Sequence, residues 1–255
     1  MAIASLADLV AASKQVIGFN KTGTTVNGPM VSYFDLASVP AAGTLAGTST
    51  TTGTVPTDAT AGCPTINNFG GLTGYIAGFE GFPSSILRVS LYDMLWKGGA
   101  YAFNASVTGQ SPTSYSSRLP ETDYNLCEIW AQQVTAATGT QNINVEYTNE
   151  GGTTGRTSGA QSMPATTIRT MLRIPLQAGD RGVQGITGVT GTTASAGTFN
   201  LLVMRRVMEC YLFPGETDFI KMLLPQIYED SALMPAVRCA GGSSSFEGEW
   251  IIAVG

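Results

Sequence analysis

The chain has 255 residues, of which 12% are charged, 31 are glycine and none is histidine, and its formal net charge is -5. That length holds one large β domain or two small ones with a core that needs no staples, while the missing histidine removes the commonest general base and metal ligand. An acidic balance (pI ≈ 4.7) with Arg205-Arg206 as the one adjacent basic pair argues against nucleic acid as the main partner, and no run of about 18 apolar residues offers a membrane span.

Charge at about half of the ~25% usual in soluble domains leaves a surface with little protection against association. At the amino terminus, Leu6, Leu9, Val10, Val16 and Ile17 recur at roughly helical spacing behind a Ser5 cap. With Asp8 suited to the helix dipole and Gly18 as the stop, this predicts a helix over 5–17. Asp8 and the lack of a basic flank argue against a secretory signal. Residues 39–68 are largely Pro, Ala, Gly, Thr and Ser, and bury too little side chain to offset their own backbone entropy. They are expected to form an extended arm ordered by hydrogen bonds to an adjacent subunit, with an irregular loop packed on its own domain as the alternative. The chain then divides into a helix and arm over 1–69 and a single β-rich body over 70–255. Leu6, Leu9, Val10, Thr44, Leu45 and Val55 are the candidate subunit-contact residues.

In the body, residues 86–91 read as a strand that leads into a turn or short helix around Tyr92-Asp93-Met94 and breaks at Gly98-Gly99. Residues 120–137 read as a helix, because Leu126, Ile129, Trp130, Val134 and Ala137 fall at three- and four-residue steps behind Glu121 and Asp123. Ile143, Val145 and Tyr147 alternate strictly and predict a strand. Residues 166–213 read as a three-stranded meander: Ile168 to Ile174, a glycine-rich strand from Val183 to Val189, and the long apolar run from Phe199 to Phe213. Residues 219–228, with Pro225 inside, suit a broken helix or a cover for a sheet edge. The carboxyl terminus predicts a closing strand with Phe246, Trp250, Ile252 and Val254 on one face. The fold class expected is mainly β, an antiparallel β-sandwich or jelly-roll-like body with one or two short helices and an extended amino-terminal arm.

No catalytic constellation is assembled by these residues. A Ser-His-Asp arrangement is excluded, and neither G-x-S-x-G nor S-x-x-K occurs. Cys63, Cys127, Cys210 and Cys239 form no C-x-x-C and read as buried thiols, with two disulfides as the alternative. Glu247 and Glu249 share a strand face and invite a glycosidase or cation site, though the solvent face of an edge strand is the plainer use. Glu209, Glu216 and Asp218 invite calcium on similar grounds. Tyr75, Trp96, Tyr101 and Tyr115 suit sugar stacking if exposed, and a core if not. No cofactor, metal or catalytic residue is therefore expected.

Three stretches resemble a group of tailed-bacteriophage virion structural proteins, in the same order along the chain. They are YFDLASVPAAGTLAGT (33–48) followed by DATAGC (58–63), VEYTNEGGTTGRTS (145–158), and LQAGDRGVQGITGVTGTTASAGTFNLLVMRR (176–206). Together they cover about half of the chain. The resemblance implies a non-enzymatic virion component, a capsid decoration or cement protein that acts as a homo-oligomer at the capsid surface, with the major capsid protein or other virion subunits as partners. A tail tube or fibre component and a carbohydrate- or receptor-binding module are the alternatives. The chain is short for a major shell subunit, and the long spine helix of such subunits is not found in it.

Overall fold

The structure is a computed structural model and describes residues 3–24, 28–110, 115–138, 141–163, 167–191, 196–215, 220–221, 224–239 and 243–255. In chain order, α1 (Leu6–Ala11) precedes β1 (Ser13–Thr24), β2 (Met30–Ser32), β3 (Ser38–Val39), β4 (Gly74–Pro83), β5 (Leu87–Ala102) and β6 (Ser106–Thr108). After 3-10 turns at Ser116–Arg118 and Pro120–Thr122 come β7 (Cys127–Thr135), β8 (Gln141–Asn149), β9 (Arg156–Thr157), β10 (Gln161–Met163) and β11 (Thr170–Ile174). The chain closes with β12 (Val183–Gly191), β13 (Thr198–Leu212), β14 (Ile220–Lys221), β15 (Gln226–Ile227), β16 (Leu233–Cys239) and β17 (Ser243–Val254).

The molecule is mainly β and its strand pairs are antiparallel, as the sequence leads one to expect. At the centre is a closed barrel in the order β11-β2-β16-β5-β13-β7. One sheet (β14-β4-β17-β1-β3) covers one flank and another (β10-β8-β12-β6) covers a second. Alternation along the barrel strands explains how one barrel serves three cores. Met30, Tyr92, Trp130, Met171, Leu202 and Met234, one from each barrel strand, cluster together and fill the interior. Their neighbours face outward: Leu201 and Val203 pack with Ile143, Val145 and Ile186 of the second sheet. Further along the same strands, Val89, Leu91 and Leu212 pack with Phe79, Phe246 and Trp250 of the first sheet. Methionine suits the interior because its flexible thioether fills irregular gaps.

One buried ionic network locks these layers. The Asp93 side chain is fully buried and meets Arg118 at 3.1 Å and Arg205 at 3.7 Å, while Ser231 Oγ and the Ala232 N–H donate to it at 2.9 and 3.0 Å. Arg118 also donates to the carbonyls of Met94, Pro56 and Asp230. Buried charges are costly without such partners. Arg205-Arg206 accordingly splits: Arg205 turns in, and Arg206 turns out to Glu209 at 3.2 Å.

Several expectations are corrected. The amino-terminal helix covers only Leu6–Ala11, capped by Ser5, whose Oγ accepts from the Asp8 N–H at 3.1 Å. Ala12 is extended, and residues 13–17 belong to β1, where they pair with β17. Residues 120–137 are not a helix. Pro120 opens a single 3-10 turn and Cys127–Thr135 is a strand. Its residues from Cys127 to Gln133 are all buried, because one face lines the barrel and the other lies under a sheet, so no period-two pattern survives in the sequence. β5 runs unbroken through Tyr92-Asp93-Met94 and through Gly98-Gly99. The three strands of 170–212 form no meander: β11 pairs with β2 and β7, β12 with β8 and β6, and β13 with β5 and β7. The closing strand does place Phe246, Trp250 and Ile252 in the core. It sits inside its sheet between β4 and β1, not at an edge. Residues 220–221 and 226–227 cover the edge of β4 as short strands.

Candidate functional site

Residues 40–68 are extended and irregular as expected, yet they lie on this chain's own barrel. Their carbonyls serve buried polar side chains of the barrel strands and of the loop after β6. Trp96 Nε1 donates to Thr52 (3.0 Å), Lys97 Nζ to Thr44 (2.7 Å), Asn200 Nδ2 to Leu45 (2.7 Å) and Gln110 Nε2 to Thr50 (2.6 Å). Backbone pairing of Thr54 with Lys97 and of Gly99 with Ser49 fixes the register. A charge-poor segment suits this task, since it lends carbonyls without bringing charges that would need partners of their own. The arm's backbone is thus engaged within the same chain, which corrects the reading that places its hydrogen bonds on an adjacent subunit.

The residues expected at subunit contacts fall into two separate groups. Thr44, Leu45 and Val55 belong to this strap, with Leu45 and Val55 half-buried and Val55 packed on the second core. Leu6, Leu9 and Val10 lie on α1, where Leu6 is 76% and Val10 75% exposed and Leu9 is half-buried. The two groups border different hollows: α1 lies beside one with Leu72, Val254 and Gly255, whereas Thr44 and Val55 border one with Phe34 and Lys97.

Strand register shows a pattern that the sequence could not. Ser13 and Gly74 both pair with Val254, so α1, Val16 and Leu72 gather at one end of the β4-β17-β1 sheet. Pro83 pairs with Phe246, and Leu212 with Leu87, which gathers Phe82, Ile86, Tyr211 and Phe213 at the other end. All of these except Leu9 are large apolar side chains in contact with solvent, Phe82 at 50% and Tyr211 at 57%. The ten residues of β4 separate the two ends by roughly 30 Å. Isolated exposed apolar residues are ordinary, but grouped ones mark contact surfaces.

Chemistry is sparse elsewhere. The largest cavity, about 760 Å³, opens at one mouth of the barrel and is lined by Leu126, Glu128, Arg173, Asp180, Arg181 and Arg206 among others. Each of its arginines is matched by a carboxylate: Arg173 by Glu128 (3.2 Å), Arg181 by Glu150 (3.8 Å) and Arg206 by Glu209. No group of metal-ligating side chains occurs among the described residues. Glu247 and Glu249 face solvent, and Glu209 is held by Arg88 at 2.6 Å. Glu216 and Asp218 lie outside the described residues. All four cysteines are buried thiols, and burial pushes Cys63 and Cys127 up to about 12. Trp96, Tyr101 and Tyr115 are core residues, which removes them from sugar stacking; Tyr75 is half-buried.

No family model matches the chain, and no curated protein sequence matches it. Solved structures to which it is similar include an infectious bursal disease virus particle (7% identity, covering 95% of this chain and 78% of that chain, TM-score 0.20). The Gt strain of the same virus (8%, 95% and 81%, 0.20) and its VP2 subviral particle (9%, 95% and 81%, 0.19) are others. Superposition at those TM-scores carries no argument about this chain.

Lys97 is the residue whose setting the sequence concealed. It looks like a strand-end lysine beside a glycine break, and only the continuation of β5 beneath the strap buries it. Its lone position behind an apolar run ending in Trp96 is the one signal that points inward.

Proposed function

We propose that this chain is a non-enzymatic structural subunit of a phage virion, a capsid decoration or cement protein that stabilises the head through contacts with its neighbours. The observation that carries this reading is the pair of exposed apolar groups at opposite ends of one sheet, on a chain only 12% charged. A surface that poor in ions disfavours a lone diffusing monomer. Two unlike apolar ends favour a head-to-tail contact, which closes into a ring when the rotation between copies allows. The sequence resemblance to virion components supports the same assignment. Ring geometry also favours the second reading, a tail-tube component.

Peptide mass mapping of purified virions, followed by averaged images of the particle, tests both. Many copies at capsid lattice positions are expected. Stacked rings below the head would transfer the protein to the tail, and its absence from intact particles would end the assignment.

A further inference from the structure

Lys97 forms part of the wall of a cavity of about 340 Å³ between the strap and β5. The side chain is 7% exposed and makes no ion pair among the described residues. Its Nζ donates to the Thr44 carbonyl at 2.7 Å and stands 4.7 Å from the centroid of the Phe34 ring. The titratable groups nearest in influence are Asp35, which is already bound by Arg169 at 2.8 Å, and the neutral Cys63 thiol. The rest of the wall is Phe34, Gly47, Val55, Pro56, Met94, alanines and threonines, without a carboxylate.

We propose that Lys97 is a reactive amine that condenses with a small aldehyde or ketone admitted to this pocket. Desolvation lowers its pKa to about 8, with Asp35 and Cys63 opposing the shift, so near neutral pH a sizeable fraction carries the free lone pair that attack requires. The lone pair adds to the carbonyl carbon and a proton passes from nitrogen to oxygen. That oxygen takes a second proton from solvent and leaves as water while the C=N bond forms, with no change of oxidation state. The product fits the same surroundings. A protonated imine keeps one N–H, which the Thr44 carbonyl accepts, and one positive charge, which the Phe34 face stabilises. A volume near the lower end for ligand pockets selects small carbonyl compounds.

The test is reductive alkylation of the intact chain with propanal and cyanoborohydride over a range of pH, read by peptide mass mapping at Lys14, Lys21, Lys97 and Lys221. Near pH 8, where about half of Lys97 is free amine, it is expected to react at least about tenfold faster than exposed Lys14. Its rate should level off above that pH. Lys21, fully buried against the Leu36 and Pro40 carbonyls, should stay unmodified. Ala46→Leu, which narrows the pocket, should slow Lys97 alone. Labelling of Lys97 no faster than Lys14, a Lys97 rate that keeps climbing well above pH 8, or indifference to Ala46→Leu in a folded variant would overturn the proposal. The comparison among lysines of the unaltered chain decides the matter even where that variant does not fold.

Discussion

Asp180 accepts four hydrogen bonds in the turn between β11 and β12. Arg156 donates to it through Nε and Nη2 at 2.9 and 2.8 Å, Asn149 at 2.9 Å and Tyr147 at 2.7 Å. These donors, Arg156 first, hold its pKa down at about 2. In the unfolded chain the carboxyl returns to the ordinary value near 3.8, so the folded state binds the proton less readily than the unfolded one. Its contribution is complete above about pH 4 and is lost as pH falls from there toward 2. Asp180→Asn is expected to lower the melting temperature at neutral pH by roughly 4–8 °C, the scale of a lost charge-assisted network in a domain of this size. The variant should also flatten the acid limb of a stability-pH curve measured by circular dichroism. An acid limb unchanged from wild type would mean that another carboxylate controls it. Little of this was legible beforehand: the residues stand in stretches that read as polar turns, and only folding brings Arg156 and Asn149 to Asp180.

At the scale of elements, local pattern told most where a strand has one wet face. β8 and β17 announce themselves because Ile143, Val145 and Tyr147, or Phe246, Trp250 and Ile252, alternate with solvent-facing neighbours. β7 and β5 do not, since barrel strands under a covering sheet are buried on both faces. Partnership is a further step that periodicity does not encode, which is why β12 joins β8 instead of its chain neighbours. Its glycines were the better guide. The bulges between Val183 and Gly185 and between Ile186 and Gly188, and the close approach of other backbone, are what Gly-rich strands are for. A Cβ at Gly182 would overlap the Tyr124 carbonyl, whereas one at Gly18 would meet nothing within 4 Å. Gly182→Ala should therefore destabilise the protein by about 1–3 kcal/mol, and Gly18→Ala should be neutral or stabilising by up to about 1 kcal/mol. Chemical denaturation of the two variants side by side measures this. Equal effects would show that the β12 backbone relaxes away from Tyr124 at little cost.

At the scale of the whole molecule, the unlike apolar ends of the β4-β17-β1 sheet make a specific demand on how copies meet. If the α1 end of one copy binds the Tyr211 end of the next, every subunit offers one of each, and association continues until a ring closes. Blocking either end should then stop growth by the same amount. Leu6→Asp and Tyr211→Asp place a charge in each group at positions that touch solvent in the lone subunit, so neither should impair folding by more than about 0.5 kcal/mol. Sedimentation of each variant alone should give monomers at concentrations where the wild type associates. An equimolar mixture should give dimers and nothing larger, because one intact α1 end and one intact Tyr211 end remain between the two variants. A two-fold contact of like ends predicts otherwise: one variant would stay fully associated by itself, and mixing would restore nothing to the other. The mixture therefore separates a head-to-tail building unit from a symmetric pair without reference to the particle in which it serves.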